Sequence, residues 1–572
     1  MAGARSSAST TESWNGWIDS FRLSVGVARY TANFTPQAAF TTPDVLSIVR
    51  AQFGTVAISH TAEDRVQTCL IYTGQTPSAI IRDLFVNYAG IDPAWINLLL
   101  WETEVDTFLD RLYTKVIADP VGVKELVSNL IQQAGLAVWS DLVTQNIRLQ
   151  VLRGISTDAF VYSQRNVLSG TISVSEQPEK QKTQCWTYYG VRNPTEPRDR
   201  PDNYRSGLVT IEAEIETLNG GAVIQVIYGD WIPAFGRQTA QRVNDLQIGR
   251  FGTPPRKVQF DVMRYSGVEE PQLGGGYQLT YWGGQSEIGG TDSIPLQIIR
   301  LNPQADKFTA EGEEMLFVQQ SPTDLTNRVI LFDSSIDDVN LKTVHDSIYP
   351  VVTAQDVING VNLTVLVGNG AIVGASTTAR RALDIGSWPV GFAISVEVQA
   401  GGRIQGCGGA GGHGGQTSSV FDGGQPGFNG GTALYTRFPI ALNVVVGQIY
   451  GGAGGGGGGI NFGVPDADGG GGGGGGAGKE GGPGGTHGDG VSSGSPGQDG
   501  ASGTPNAGGI GGNSGNGSFP TPGGTGGGPG LSGNVGSPGF GDVPGGSPGS
   551  AIDGVSFCTV TGPGDIRGPQ VN

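Results

Sequence analysis

Hydrophobic and polar positions alternate along the first part of the chain in the two-residue rhythm of strands. Phe21, Leu23, Val25 and Val27 stand between polar or small residues, and TVAIS and TCLIYTG carry the rhythm towards residue 75. The period then lengthens. In TPSAIIRDLFVNYAGI, Ile80, Ile81, Leu84, Phe85 and Tyr88 recur at helical spacing behind a Thr/Ser-Pro cap signal, with Gly90 as the stop. A second helix fits DPVGVKELVSNLIQQAG, where Val123, Leu126, Val127, Leu130 and Ile131 form one stripe that Gly135 ends. LAVWSD, a turn near Thr144 to Asn146 and IRLQVLRG then read as a hairpin.

From 156 to 320 the pattern is mainly β. TISVSEQ, QCWTYYGV, GLVTIEAEIE, AVIQVIYGDW, KVQFDVMR, GGGYQLTYW, IPLQIIRLNP and EEMLFVQ read as strands, and one helix spans about Arg237 to Arg250 with Ala240, Val243 and Leu246 inward. A barrel-like β domain carrying one helix is the expected result. Residues 321–360 read as a connector, partly strand at Val329 to Phe332. VNLTVLVG, GAIVGAS and FAISVEVQAGGRIQG then precede a glycine excursion at about 406–432. FPIALNVVVGQIYGG returns to strand before a longer excursion at 451–549, and AIDGVSFCTVTG ends in strand again. The chain therefore divides into a β-rich segment 1–75, an α/β insert 76–155, a barrel-like domain 156–320, the connector 321–360 and a glycine-rich module 361–572. The expected class is multidomain α+β, mainly β.

Composition sharpens only the last module. Most of the 99 glycines fall between 401 and 550. Strands that bracket each excursion imply a β-sandwich from which two glycine loops protrude. Flexible coil is one reading of those loops, because ordering glycine is entropically costly. Collagen is excluded, since GGGGGG and GGPGGTHGDG break the G-X-Y period. The reading adopted is a bundle of polyproline-II-like helices, in which bare backbones approach and satisfy one another. Pro465, Pro483, Pro496, Pro505, Pro520 and Pro522 suit that backbone.

The net charge of −17 opposes specific nucleic-acid binding, although DNA would slide past such a surface without sticking. Cys69, Cys185, Cys407 and Cys558 form no CxxC pair, so free buried thiols are expected rather than a zinc or redox site. The first twenty residues lack a secretory core, and the apolar stretch from Trp95 to Trp101 is too short to span a membrane. Synthesis in the cytoplasm is the expectation.

No constellation reads as catalytic. Glu313-Glu314 and Glu102/Glu104 look like solvated carboxylates without a neighbouring His or nucleophile. His413 and His487 are the two histidines that would meet at a trimer axis to hold a metal; the simpler reading makes them exposed loop residues. GGGY at Gly274 to Tyr277 is a turn, not a phosphate loop. TPPRK at Thr253 to Lys257 is a helix stop with structural basic residues. Trp186, Tyr188, Tyr189 and Trp231 read as core or interface, and Trp388 as a buried anchor. No cofactor and no metal site are assigned.

YTGQTPSAIIRDLFVNYAGI, ADPVGVKELVSNLIQQAGLAVWSD, IRLQVLRGI, GDWIPAFGRQTAQRVNDLQIGRFGTPPRKVQFDV, LGGGYQLT and IPLQIIRLNP together resemble the central hub or tail-tip proteins of long-tailed bacteriophages, over roughly 70–320. Separately, AIVGAS, DIGSWPVGFAISVEVQAGGRIQGCGGAGG and GDIRGPQ resemble the glycine-rich tips of phage tail fibre adhesins, whose glycine region forms a polyglycine-II sandwich with receptor-touching loops at its far end. The resemblances imply a structural, non-enzymatic hub at the distal end of the virion tail. They imply a homotrimer around the tube axis that contacts the distal tail and tape measure proteins and presents its C-terminus to a host receptor. Phe421, Phe428, Phe462, Phe519 and Phe540, the aromatics within the glycine tracts, are the host-contact candidates. The alternatives are a receptor-binding adhesin merely anchored by its hub-like part and a hub-fused cell-wall hydrolase.

Overall fold

The computed structural model describes residues 69–141, 145–155, 159–265, 268–285, 291–315, 326–415, 423–461, 469–489, 495–515, 521–537 and 541–572. Of the β-rich segment expected over 21–75, the described part is strand β1 (Leu70–Gln75); the rest lies outside the described residues.

Helix α1 (Pro77–Asp83) starts where Thr76 accepts the Ala79 N–H and Pro77 occupies the first turn. Next come α2 (Leu98–Phe108), β2 (Tyr113–Ile117), which pairs antiparallel with β1, and α3 (Val123–Ala134). Gly135 ends α3 in the left-handed region, at φ +63°. The expected hairpin is present as β3 (Leu136–Asp141) and β4 (Asn146–Val151). The chain continues through β5 (Val161–Tyr162), β6 (Ser173–Glu176), β7 (Gln184–Val191), β8 (Tyr204–Ile211), α4 (Ala213–Asn219), β9 (Ile224–Gly229) and α5 (Arg237–Phe251). Strands β10 (Arg256–Met263), β11 (Gly276–Gln285), β12 (Thr291–Pro303) and β13 (Lys307–Glu314) follow.

These elements build two cores. In the first, Ile80, Ile81, Trp101 and Leu130 meet Leu208 and Ile227 of the three-stranded sheet β8-β7-β9, with Ala240 and Val243 of α5 between. The second lies under the six-stranded sheet β5-β11-β12-β13-β10-β6 and is centred on Val258, Phe260, Leu279 and Leu296. That sheet is open rather than a closed barrel: its edge strands β5 and β6 are short and pair only inward, with β11 and β10. The tail of GLVTIEAEIE is also not strand. Glu214 and Glu216 sit in the first turn of α4, where negative charge favours a helix, and Gly220 closes it at φ +76°.

Glu313 and Glu314 depart furthest from the sequence reading. They are buried, not solvated. Glu313 takes Arg250 at 2.6 Å and Lys180, and Glu314 takes Arg256, which also reaches Asp292 at 3.0 Å. A buried carboxylate is tolerable only with such partners. The paired cations hold the Glu313 carboxyl below its usual range against the opposing effect of burial. Glu104 likewise binds Arg153 and the Val151 N–H. The basic residues of TPPRK thus serve internal pairs, as expected.

The C-terminal part is a three-sided parallel solenoid instead of a sandwich. Its first rung is β14 (Asn327–Phe332), β15 (Ile336–Asp337) and β16 (Val339–Asn340), followed by α6 (Leu341–Asp346) and α7 (Ala354–Ile358). The second is β17 (Asn362–Val367), β18 (Ile372–Gly374) and β19 (Arg381–Asp384). The third is β20 (Ala393–Val398), β21 (Arg403–Gln405) and β22 (Thr432–Tyr435). The fourth is β23 (Ile440–Val444), β24 (Gln448–Tyr450) and β25 (Ile552–Asp553), and the fifth β26 (Cys558–Thr561), β27 (Asp565–Arg567) and β28 (Gln570–Val571). Each side is a five-stranded parallel sheet. Register alignment stacks like on like: Ile330, Val365, Val396 and Leu442 form one buried ladder that ends at the exposed Val560, and Val339, Leu383, Leu434 and Ile552 form another. Every strand of the inner rungs has a neighbour on both sides, so continuous apolar ladders fill the interior. The stretch Val329 to Phe332, read as connector, belongs to the first rung.

Arg328 links the first rung to the body before it. Its guanidinium, 1% exposed, reaches Asp110 at 3.1 Å, the Pro350 carbonyl at 2.9 Å and His345 Nε2 at 3.0 Å. A guanidinium only donates, so Nε2 is the acceptor and Nδ1–H donates to Asp346 at 2.8 Å. Burial first, and Arg328 as well, push the His345 pKa down to about 4, against the pull of Asp346. The unfolded ring titrates near 6.5, so between these values the unfolded chain binds a proton that the folded chain refuses. Stability is full above pH 6.5 and falls as pH drops towards 4. Urea midpoints across that range should show this slope, and a His345→Gln chain should lack its share of it.

None of the four cysteines is in a disulfide. Cys185 and Cys407 are buried, while Cys558 is half-buried and Cys69 exposed, unlike the expected uniform burial. Burial pushes the Cys185 thiol up to about 12, and Cys407 and Cys558 up to about 11. A thiol reagent near neutral pH should therefore modify Cys69 first, with the other three reacting only on unfolding. Peptide mass mapping of the folded protein checks this.

Candidate functional site

Between β21 and β22, and again between β24 and β25, the chain leaves the solenoid and builds a lattice of ten extended tracts: 406–415, 424–431, 451–460, 469–478, 481–488, 497–504, 507–515, 521–528, 530–537 and 543–550. Bonds between tracts advance three residues at a time. Gly409, Gly412 and Gly415 donate to Ala453, Gly456 and Gly459 at 2.8, 2.8 and 2.7 Å, while Gly408, Gly411 and Gly414 donate to Glu480, Pro483 and Thr486 on another neighbour. The bonds repeat every third residue and run between tracts.

Neighbour relations follow a hexagonal plan. Tract 3 (451–460) bonds tracts 1, 2, 4, 8, 9 and 10, and tract 4 (469–478) bonds tracts 1, 3, 5, 6, 7 and 8. Two adjacent centres thus share tracts 1 and 8, and the other six complete the ring. Glycine content follows position at the centres and at several outer tracts, although tracts 5 and 7, with three neighbours each, still keep two glycines in three. The centres contain the unbroken runs 454–459 and 469–476, where backbone approaches from every side. Tracts 1 and 8, with four neighbours, keep two glycines in three, as at Gly411-Gly412 and Gly523-Gly524. Tracts 2, 6 and 9 keep one in three, as at Gly497, Gly500 and Gly503, and the remaining positions carry outward side chains. The centres admit one methyl each, Ala453 and Ala477, which meet through the Ala453 N–H and Ala477 carbonyl at 2.8 Å.

The lattice has two unlike ends. Tracts 1 and 3 bond in parallel, whereas tracts 1 and 2 bond antiparallel, so odd tracts run away from the solenoid and even ones return. At the near end the turns are short and fixed to the solenoid. Lys479 reaches Asp337 at 3.1 Å, the Pro505 carbonyl accepts from Arg403 and Gln405 at 3.2 and 2.8 Å, and Gly451 donates to Arg567 at 2.9 Å. At the far end Ile460, Asn461, Thr521 and Ser537 are buried, with Ser537 Oγ accepting the Ile460 N–H at 2.8 Å. All five remaining connections start from this end, after residues 415, 461, 489, 515 and 537.

Four sequence candidates, Phe421, Phe462, Phe519 and Phe540, lie outside the described residues, each within one of those five connections. Phe428 is 55% exposed on the flank of tract 2, its N–H bonded to the Ala410 carbonyl at 2.9 Å. The structure gives the candidate histidines different partners. His413 Nδ1 accepts the Thr486 N–H at 3.1 Å, whereas His487 Nδ1 lies 2.6 Å from Asp499. Hydrogen bonds from the His487 backbone and ring hold the Asp499 carboxyl below its usual range. Among the described residues no group of three His, Cys, Asp or Glu side chains is placed to hold a metal. What sequence reasoning missed is the every-third-residue glycine, visible at Gly424, Gly427 and Gly430 and at Gly530, Gly533 and Gly536, which marks outer tracts.

Residues 327–571 match the family described as phage tail fibre adhesin Gp38, starting at the first strand of the solenoid. The C-terminal part of the chain is thus similar to phage tail fibre adhesin Gp38. Solved structures with partial likeness include the tail protein from Neisseria meningitidis MC58 (10% identity, 44% of this chain and 70% of that one, TM-score 0.28). The 43 kDa tail protein of prophage MuSo2 from Shewanella oneidensis is 13% identical over 44% and 69%, TM-score 0.28. A chain of the virion of a native gene transfer agent particle is 12% identical over 43% and 49%, TM-score 0.29. No curated protein matches the chain in sequence.

Proposed function

We propose that this chain is a tail-tip hub that presents a polyglycine-II platform to the bacterial surface, with the connections after 415, 461, 489, 515 and 537 as the contact surface. One observation carries the reading: the five connections that are neither solenoid strands nor tied-down near-end turns all start from the end remote from the solenoid. A stiff bundle fixes the points from which the five connections start, without the ordering entropy a free tether would impose at binding. The body before residue 327, joined to the platform through Arg328, serves as the attachment to the tail tube.

Residues 416–422 and 462–468 are replaced together with Gly-Ser segments of equal length, and amide exchange over 452–459 checks that the lattice is retained. Binding of the full chain to susceptible cells should then fall about a hundredfold, of order 2.7 kcal/mol. Unchanged binding would refute the contact surface. Tails assembled with a chain ending at residue 326 separate the roles: complete but non-adsorbing tails fit the hub reading, and failure of the reading would appear as normal adsorption.

A further inference from the structure

The junction between the body and the solenoid gathers positive charge inside a chain whose net charge is −17. Arg328, Arg111 and Arg242 are 1%, 3% and 7% exposed there. One carboxylate serves the first two: Asp110 takes Arg328 at 3.1 Å and lies 3.8 Å from Arg111. Other acids of the region are engaged elsewhere, Asp346 with His345 and Lys342, Asp230 with Lys115 and Gln133, and Glu104 with Arg153. Asp356, which also acts on Asp110, only opposes its charge. Arg242 stands beside Arg111 because Gln238, one turn earlier on the same face of α5, accepts from Arg111 Nη2 at 3.3 Å. Arg242 Nη2 donates to the Leu152 carbonyl at 3.3 Å. Burial pushes the Arg242 pKa down to about 10, with Tyr113 opposing the effect and Arg111 adding to it.

Hydrogen-bond donors are in surplus at this spot. Arg111 Nε and the hydroxyls of Tyr113 and Thr239 are buried without a hydrogen-bond partner among the described residues. Thr239 precedes Arg242 by three residues on α5, and Tyr113 lies close enough to both Arg242 and Arg111 to feel their charge. The phenol does not supply a negative charge. Burial raises its pKa above the usual value in spite of Arg242 and Arg111, so it stays protonated and donates. A guanidinium has donors only, and buried donors without an acceptor are costly. We infer that Arg111, Tyr113 and Arg242 hold a monovalent inorganic anion of halide size. Such an ion accepts from every side and brings a second countercharge beside Asp110, whereas a water would add two more donors. Walls this deeply buried suit a single-atom ion rather than a phosphate.

Bromide tests this on the full chain. The melting temperature in sodium bromide should rise by several degrees over sodium gluconate at equal ionic strength, and the rise should grow with bromide as binding to the folded state alone requires. In crystals soaked in bromide, the anomalous difference map should show a peak against Tyr113 Oη and the guanidiniums of Arg111 and Arg242. Tyr113→Phe removes one donor to the ion, so about tenfold more bromide should be needed for the same rise. Without an ion, the same change deletes a hydroxyl that has no partner, and both the bromide response and the melting in gluconate would stay as they were or the melting would improve. The inference is overturned by equal melting in bromide and gluconate, or by a map with no anomalous peak at this spot, which is what an ordered water would give. Melting and soaking both use the unaltered chain, so a misfolded variant does not remove the test.

Discussion

Replacing Gly473 with alanine should unfold the lattice while leaving the rest of the chain folded. Gly473 lies in tract 4, one of the two tracts with six neighbours, and a Cβ there would fall under 3.0 Å from the Gly456 carbonyl oxygen and carbon, both backbone. Overpacking a side-chain core typically costs about 1–3 kcal/mol because side chains can turn aside. Backbone held by bonds on every flank cannot turn aside, so a cost of at least about 3 kcal/mol is expected, at the upper end of that range. Ile510→Ala is the matched control: that side chain is 73% exposed on tract 7, and its loss should change stability by about 0.5 kcal/mol or less. Differential scanning calorimetry of both chains reads the contrast, as a lost or much lowered transition for Gly473→Ala beside an unchanged one for Ile510→Ala.

The second large effect is expected at Arg328. Cutting it to methionine removes the donor that Asp110, His345 and Pro350 share, and leaves a mostly buried carboxylate whose pKa burial already raises in spite of Arg328 and Arg111. Breaking a buried pair in this way costs about 3–5 kcal/mol. Arg328→Lys keeps the charge but reaches fewer of the three acceptors, so it should recover only part of the loss. Urea unfolding separates the cases. Equal stability of Arg328→Met and the parent chain would show that the junction between body and solenoid rests on other contacts.

Local signals in the sequence were accurate where one element decided them. The Gly135 stop, the hairpin around residue 145 and the inward residues Ala240, Val243 and Leu246 of α5 are all in the structure, because each depends on spacing within a dozen residues. Helix α2 was not read, since its LLLW start leaves Leu99 and Leu100 exposed and so lacks a clean stripe. The solenoid was hidden for a different reason. Asn362 pairs with Ala393 but Ile440 pairs with Cys558, so its rungs have no constant sequence period, and strands at such distances look alike whether they form a sandwich or a coil. Glu313 and Glu314 misled because their partners, Lys180 and Arg250 for the first and Arg256 for the second, are remote in sequence. The glycine lattice was legible as an ordered bundle, but its plan was not. The rule that neighbours displace side chains emerges only once the two unbroken glycine runs are known to be the centres. Of the candidate contact residues, the sequence picked out aromatics without the information that four of them fall in far-end connections.

Amide hydrogen exchange across residues 452–459 and 470–477 tests the central claim most directly. If these bare backbones are the hexagonally bonded interior of a rigid platform, their amides should exchange as slowly as those of the solenoid ladder at Val365 and Val396, and far more slowly than a glycine chain in water. Exchange at the free-chain rate would mean that no lattice exists in solution, and the display platform would be lost with it.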